Sequence, residues 1–275
     1  MTHARELSVG MHTPALAGPT LNRILDAIGG GEVHPHYQPI VSLETGEMVG
    51  VEALARWDVP DTGLLAANAF VPVLERSRRV SDLTAFMLHR ACADLAAWRR
   101  DRRLVSGFRV AVNVSATEVG DRRLAGLVHE ALDAHEVAPQ SLCLELTETA
   151  PIEDLDAVGA VLAELTNDIG VQLAVDDYAT GHNDSGVLGA LPFDTVKIDR
   201  SFVTGMGHRA DHAAFVRATV GYAANRSLSV VAEGVRDRRH AQTLLRAGCR
   251  FGQGFGLGVP CPADRVLAHR RHPVA

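Results

Sequence analysis

The chain has 275 residues, 47% of them hydrophobic and 22% charged, with a net charge of −6. That length suits one barrel-sized domain or two small ones, with apolar content enough for a sizeable core. The acidic balance, free of any block of like charge, argues against general nucleic-acid binding, and no apolar run is long enough to span a bilayer.

Residues 1–19 carry Pro14, Gly18 and Pro19 without apolar periodicity and are predicted to be a flexible tail. Nothing in them resembles the apolar core of a signal peptide. The four cysteines, Cys92, Cys143, Cys249 and Cys261, are widely spaced and form no C-x-x-C pair. A reduced, cytoplasmic protein is therefore expected. Leu21, Ile24, Leu25 and Ile28 follow at helical spacing. Gly29-Gly30-Gly31 should end that helix, because glycine tolerates the left-handed conformation of a helix exit.

From there β-rich runs alternate with amphipathic segments. Strands are predicted near 35–41, 48–54, 108–114, 141–146, 171–176, 194–198, 228–233 and 250–253. Helices are marked by Leu83, Met87, Leu95 and Trp98, then by Leu124, Leu127, Val128 and Leu132. Another carries Leu155, Val158, Leu162 and Leu165, opened by Pro151, Glu153 and Asp154, which suit a first turn. The basic stretch from Arg99 to Arg103 falls where a helix ends, a favourable place for cations, and reads as a solvated helix end. Gly248 is placed as a helix stop. Eight strands with intervening helices point to a closed (β/α)₈ barrel, with an open doubly wound sheet as the alternative.

The strand runs are apolar, yet most finish on a polar residue: Glu52, Asn113, Glu145, Asp176-Asp177, Lys197 with Asp199, Glu233 and Gln253. In a closed barrel these ends converge on one mouth, where barrel enzymes place their chemistry. Carboxylates gathered there repel one another and raise each other's pKa. A hard divalent cation removes that penalty, and oxygen ligands suit Mg²⁺ or Mn²⁺. The adjacent acids Asp176-Asp177 are suited to serving two metals, and a two-metal site suits phosphodiester displacement. One acid at one strand end is more often a cap or loop residue; many in register are not explained that way. His34-x-His36 shares a strand face but has no third partner nearby. The spacing Gly252, Gly254, Gly256, Gly258 does not fit a dinucleotide loop.

Glu52-Ala53-Leu54-Ala55-Arg56 resembles the signature of the EAL domain. Tyr37-Gln38-Pro39-Ile40, Asn113-Val114-Ser115-Ala116, Glu145-Leu146-Thr147-Glu148 and Asp176-Asp177-Tyr178-Ala179-Thr180-Gly181 resemble further family motifs. So do Lys197-Ile198-Asp199-Arg200-Ser201-Phe202, Val231-Ala232-Glu233-Gly234-Val235 and Gln253-Gly254. Order and spacing agree from about Leu21 to Pro260, and residues 20–275 are read as one EAL domain.

The resemblance implies a modified (β/α)₈, TIM-like barrel with an antiparallel first strand. It implies a phosphodiesterase that opens one bond of cyclic di-GMP to give linear pGpG in bacterial signalling, with two divalent cations, Mg²⁺ or Mn²⁺. Carried over, Glu52, Asn113, Glu145 and Asp176 would hold one metal, and Asp176 with Asp177 the second. Glu233 would act on the attacking water, supported by Gln253. Lys197 would orient that water and offset charge on phosphate. Gln38 and Arg56 would hold the dinucleotide, and Glu148 would brace the loop after the fifth strand. A homodimer is implied, and signal input would come through the tail, a partner or that interface.

The chain departs from the family pattern at Ala179, where glycine is usual, at Arg236, where an acid is usual, and at Val259, where a positive residue is usual. These departures leave open an alternative: a barrel that binds cyclic di-GMP, or a partner protein, without useful turnover.

Overall fold

A computed structural model describes residues 19–60, 62–101, 104–147, 155–178 and 191–268. Residues 1–18 of the predicted tail, Glu148, the helix-opening Pro151, Glu153 and Asp154, and the loop containing Ala179 lie outside these residues. Helix α1 (Leu21–Gly29) ends as the glycines require, with Gly31 at φ 77°. Strands β1 (Val33–Ser42) and β2 (Met48–Val59) then form an antiparallel hairpin, Gln38 directly opposite Glu52. A short extension follows that the sequence pattern did not reveal. The short β3 (Gly63–Ala66) pairs back on the far end of β2, and α2 (Val71–Arg76) leads into α3 (Val80–Arg100).

The remaining strands are β4 (Arg109–Val114), β5 (Leu142–Thr147), β6 (Gln172–Tyr178), β7 (Thr195–Ile198), β8 (Ser229–Ala232) and β9 (Phe251–Gln253). They run parallel in order from β2 through β4 to β9, and β9 pairs antiparallel with β1 through Ile40 and Gln253. With β1 also bonded to β2, eight strands close into a barrel and β3 stays outside the ring. The first strand is the antiparallel one, and the open-sheet alternative is excluded. Helices α4 (Arg123–Ala134), α5 (Leu155–Ala163, continued by a wider turn to Ile169), α6 (Arg200–Gly205), α7 (Ala210–Ala224), α8 (Arg238–Arg246) and α9 (Ala263–Val266) complete the described elements. Gly248 exits α8 at φ 89°, the stop that its position predicts.

Strand alternation decides what faces where. Val110, Val112, Val114, Leu142, Leu144, Leu146, Leu173 and Val175 belong to the large apolar cluster shared with the helices. From α3 that cluster takes Leu83, Met87, Leu88, Leu95 and Trp98. Each such fully buried side chain contributes about 1.5–3 kcal/mol of transfer free energy. The intervening positions point into the barrel. There Ala111, Cys143 and Ala174 form a small separate cluster. Each precedes by two residues a polar partner on the same face: Asn113, Glu145 and Asp176. Small side chains in the inner layer leave room for long polar ones above them.

Tyr37, next to Gln38 on the other face of β1, anchors the first strand to the helical layer. Its hydroxyl donates to Asp94 at 2.6 Å and its ring meets Trp98 edge-on at 4.8 Å. Burial and the Asp94 charge push the Tyr37 phenol far above its ordinary range. This outward anchoring fixes the rotation of β1, and hence the inward aim of Gln38.

Candidate active site

Lys197 lies on β7 with its side chain 1% exposed. A buried ammonium is costly unless it is paired. Its Nζ lies 2.8 Å from Glu145 Oε2, 2.8 Å from Glu233 Oε1, 3.0 Å from Asp176 Oδ1 and 3.4 Å from Glu52 Oε2. Four carboxylates from β2, β5, β6 and the end of β8 thus meet at one cation.

Uncharged partners hold this cluster from the sides. Asn113 Nδ2 donates to Glu52 Oε1 at 2.7 Å, and Gln253 Nε2 donates to Glu52 Oε2 at 2.6 Å. The same amide nitrogen reaches Gln38 Oε1 at 3.0 Å, while Gln38 Nε2 donates to the Gly258 carbonyl at 3.1 Å. Strand register explains the assembly. Gln38 faces Glu52 across β1–β2, and Asn113 faces Glu145 across β4–β5. The register of strand pairs, not loop conformation, brings these side chains together.

The electrostatics follow from crowding. Burial opposes ionisation of Glu52, but the Lys197 charge and the Asn113 and Gln253 hydrogen bonds outweigh it and hold the carboxyl below its usual value. Glu145 is driven well above the usual carboxylate range, by burial first and by the neighbouring Glu52 charge second. Burial pushes Glu233 up to about 7, with Asp176 and Glu52 adding to it against the opposing Lys197. Burial alone would lower Lys197, yet Glu145, Glu52, Asp176 and Glu233 together raise it well above the ordinary lysine value. Lys197 is therefore a fixed positive charge at neutral pH, and Glu233 is poised to take or give a proton there.

The donor set fits a hard divalent cation. Glu52, Glu145, Asp176 and Asn113 supply only oxygen ligands, as Mg²⁺ or Mn²⁺ prefers. Asp176 Oδ1 is buried without a hydrogen bond, the nearby ammonium serving it as an ion pair only, and Gln253 Oε1 is buried and unpartnered. With all four carboxylates ionised, one ammonium leaves a surplus of negative charge for a cation to offset. Among the described residues no group of three or more His, Cys, Asp or Glu is already arranged to hold a metal ion. The ligands here are gathered around Lys197 rather than preassembled. The Asp177 side chain and Glu148 lie outside the described residues.

Above the cluster opens a cavity of about 580 Å³, within the 300–1,000 Å³ usual for small-molecule sites. Gln38, Glu52, Asp176, Glu233 and Gln253 form its floor, and Arg200, Arg236 and Phe255 are exposed on its lining. Glu145 and Lys197 sit buried beneath, and Asn113 is half-buried beside them, all three outside the lining. Arg56 is brought to the same face of β2 as Glu52 and Leu54 but does not line the cavity. It is half-buried, with Nη1 donating to the Ala55 carbonyl at 2.9 Å. The reading of strand ends missed Thr204, Arg200 and Phe255 as cavity residues. The signal for Phe255 is an aromatic between two glycines, directly after the strand that supplies Gln253. The His34 and His36 rings lie 5.3 Å apart without a third ligand-type side chain grouped with them among the described residues.

Residues 21–260 match the family profile described as EAL domain. The bifunctional diguanylate cyclase/cyclic di-GMP phosphodiesterase MucR of Pseudomonas aeruginosa is 37% identical over 233 residues, covering 85% of this chain and 34% of MucR. A second Pseudomonas aeruginosa protein, named a cyclic di-GMP phosphodiesterase, is 34% identical over 247 residues, covering 90% of this chain and 41% of its own length. This chain thus spans well under half the length of these relatives. Among solved structures, the MucR phosphodiesterase in complex with c-di-GMP superposes with a TM-score of 0.83 at 35% identity, covering 90% of this chain and 98% of the other. The EAL enzyme Bd1971, with cAMP and cyclic di-GMP bound, gives 0.84 at 28% identity, covering 90% and 67%. Over most of its length, from α1 to the segment after β9, the chain belongs to the EAL domain family.

Proposed function

We propose that the chain is a divalent-metal-dependent cyclic di-GMP phosphodiesterase that opens one phosphodiester bond to give linear pGpG. The observation that carries this reading is the convergence of Glu52, Glu145, Asp176 and Glu233 on Lys197 at the floor of a cavity open to solvent. Relatives and structural neighbours named for cyclic di-GMP supply the substrate class.

Glu52, Asn113, Glu145 and Asp176 would hold one cation, with Asp176 and Asp177 holding a second. Such cations supply Lewis-acid polarisation of the phosphate and make water more acidic. Glu233, with its carboxyl near neutrality, accepts a proton from the attacking water. The water oxygen bonds to phosphorus, the bond from phosphorus to one ribose 3′ oxygen breaks, and that oxygen leaves as a hydroxyl after taking up a proton. Lys197 stays protonated throughout and stabilises the negative charge that builds on the phosphate. Gln253 fixes Glu52 and Gln38 together, so the ligand side and the substrate side of the floor move as one. Gln38 would orient the dinucleotide, with Arg56 helping from its place just outside the cavity lining, and Glu148 would brace the loop after β6. The working unit is residues 20–275, as a homodimer under control of a partner still to be identified.

Purified protein given Mg²⁺ or Mn²⁺ should convert cyclic di-GMP into pGpG, resolved by chromatography, and Glu52→Ala should abolish the conversion. Arg236, a base where the family pattern has an acid, favours a second reading in which the barrel binds cyclic di-GMP without turning it over. Tight binding that leaves the nucleotide intact under both metals would select it.

A further inference from the structure

The cavity has two ends of opposite character. Its floor is carboxylate and amide. Its rim carries two guanidiniums, Arg200 and Arg236, and one bare aromatic ring, Phe255, 75% exposed. Of the large apolar side chains left exposed among the described residues, Phe255 is the most open and the one that lines this cavity.

The rim is rigid where it holds these groups. Gly254 sits at φ 153°, and a Cβ there would meet Val235 N at 2.3 Å. A Cβ on Gly256 would meet the Arg236 carbonyl carbon at 2.1 Å. The glycines on either side of Phe255 thus let its turn lie flat against the Gly234–Asp237 backbone. Val235 N donates to the Gln253 carbonyl at 3.0 Å, and Gly256 N to the Val235 carbonyl at 2.9 Å. Phe255 and Arg236 are therefore carried on two turns locked backbone to backbone.

Arg236 is free to serve a ligand. Its Nη2 reaches the Thr204 carbonyl only at 3.5 Å, and neither Arg236 nor Arg200 forms a salt bridge with another described residue. A guanidinium only donates hydrogen bonds. It matches the paired O6 and N7 acceptors of guanine, whereas adenine offers N7 beside a donor amino group. An aromatic face stacks on either purine.

Resting on the phosphodiesterase reading, we infer that the Phe255–Arg236 rim is a nucleobase subsite, in which Phe255 stacks on one purine of the cyclic dinucleotide and Arg236 selects guanine over adenine. With the phosphate drawn to the floor, one base extends outward to the rim. Arg236 is then a specificity-determining residue, placed where an acid could not accept the same pairing.

The test is equilibrium binding of cyclic di-GMP and cyclic di-AMP to the full chain, by calorimetry with Mg²⁺ at a temperature and time where the nucleotide stays intact. The unsubstituted protein should prefer cyclic di-GMP. Arg236→Ala should lower that preference about tenfold or more, chiefly through weaker binding of the guanine ligand. Phe255→Ala should weaken both ligands alike and keep their ratio, and Phe255→Trp should restore both. An unchanged ratio in Arg236→Ala, with cyclic di-GMP still bound, overturns this inference alone. No binding of cyclic di-GMP by the unsubstituted protein overturns the parent reading with it. Both side chains are exposed, so unchanged thermal unfolding is expected and checks that each variant is folded.

Discussion

The floor and the rim of the cavity are built by opposite means. On the floor, Lys197 and its four carboxylates come from strands, lie deep, and satisfy one another through short contacts. On the rim, Arg200, Arg236 and Phe255 come from turns and helix starts, stand in water, and touch little of the protein. The floor stores electrostatic tension that only its full set of partners relieves. The rim side chains carry no such load, so replacing them should cost the fold little. On the proposed function, chemistry would be separated from selectivity within one cavity.

The largest effect that would break this contrast is loss of the central cation. Lys197→Met leaves four acidic groups crowded and unpaired. Metal-free unfolding at pH 8 should show a loss of about 3–5 kcal/mol, the usual consequence of stripping one partner from a buried ion cluster. A loss below about 1 kcal/mol would mean that the carboxylates relax outward freely, and the floor would not be the strained region described here.

The backbone lock beneath the rim comes next. Gly254→Ala forces a side chain into the left-handed region and against Val235 N. Denaturant unfolding should report about 3 kcal/mol of destabilisation. Thus the rim's scaffold is sensitive while its side chains are not.

The pH response sharpens the comparison further. Glu145 and Glu233 have folded-state pKa values raised above the unfolded ones, Glu233 to about 7. Between pH 4.5 and about 7 the folded protein therefore binds more protons than the unfolded chain, and stability falls as pH rises through that window. Glu52 is held low and stays ionised across it. His36, lowered by burial, works in the opposite direction, but it is only partly buried and contributes less. Metal-free protein should lose on the order of 1–3 kcal/mol from pH 5 to pH 8. Added Mg²⁺ should stabilise more at pH 8 than at pH 5, since cation binding requires the deprotonated carboxylates. A flat or rising stability profile without metal would contradict the crowding.

Smallest is the rim itself. Phe255→Ala should change unfolding stability by less than about 0.5 kcal/mol, as expected for an exposed position away from caps and cores.

The barrel was legible because its strands alternate with helices and end on polar residues, and the observed strands begin and end within a few positions of the predicted ones. Glu52 differs: β2 continues past it to Val59 and is extended by β3, so that acid sits mid-strand. The run of Arg56-Trp57-Asp58 hides this continuation, because two charged residues flank its one apolar side chain, Trp57, which is buried against Phe70 and donates Nε1 to Glu32. Lys197 was readable as a candidate residue near a strand end, but its place as the hub of four carboxylates was not. Glu52 lies 145 positions away in sequence, and Gln253 lies 215 from Gln38. Only ring closure between β1 and β9 sets such pairs. The exposure of Phe255 depends on two turns docking glycine to backbone, a relation with no local sequence pattern beyond the spaced glycines.

Turnover tests the central claim most directly. Purified protein is incubated with cyclic di-GMP and Mg²⁺ or Mn²⁺, alongside Glu52→Ala, and products are resolved by chromatography. The proposed function predicts metal-dependent conversion to pGpG by the unsubstituted protein and none by the variant. Intact nucleotide with the unsubstituted protein under both metals would contradict it.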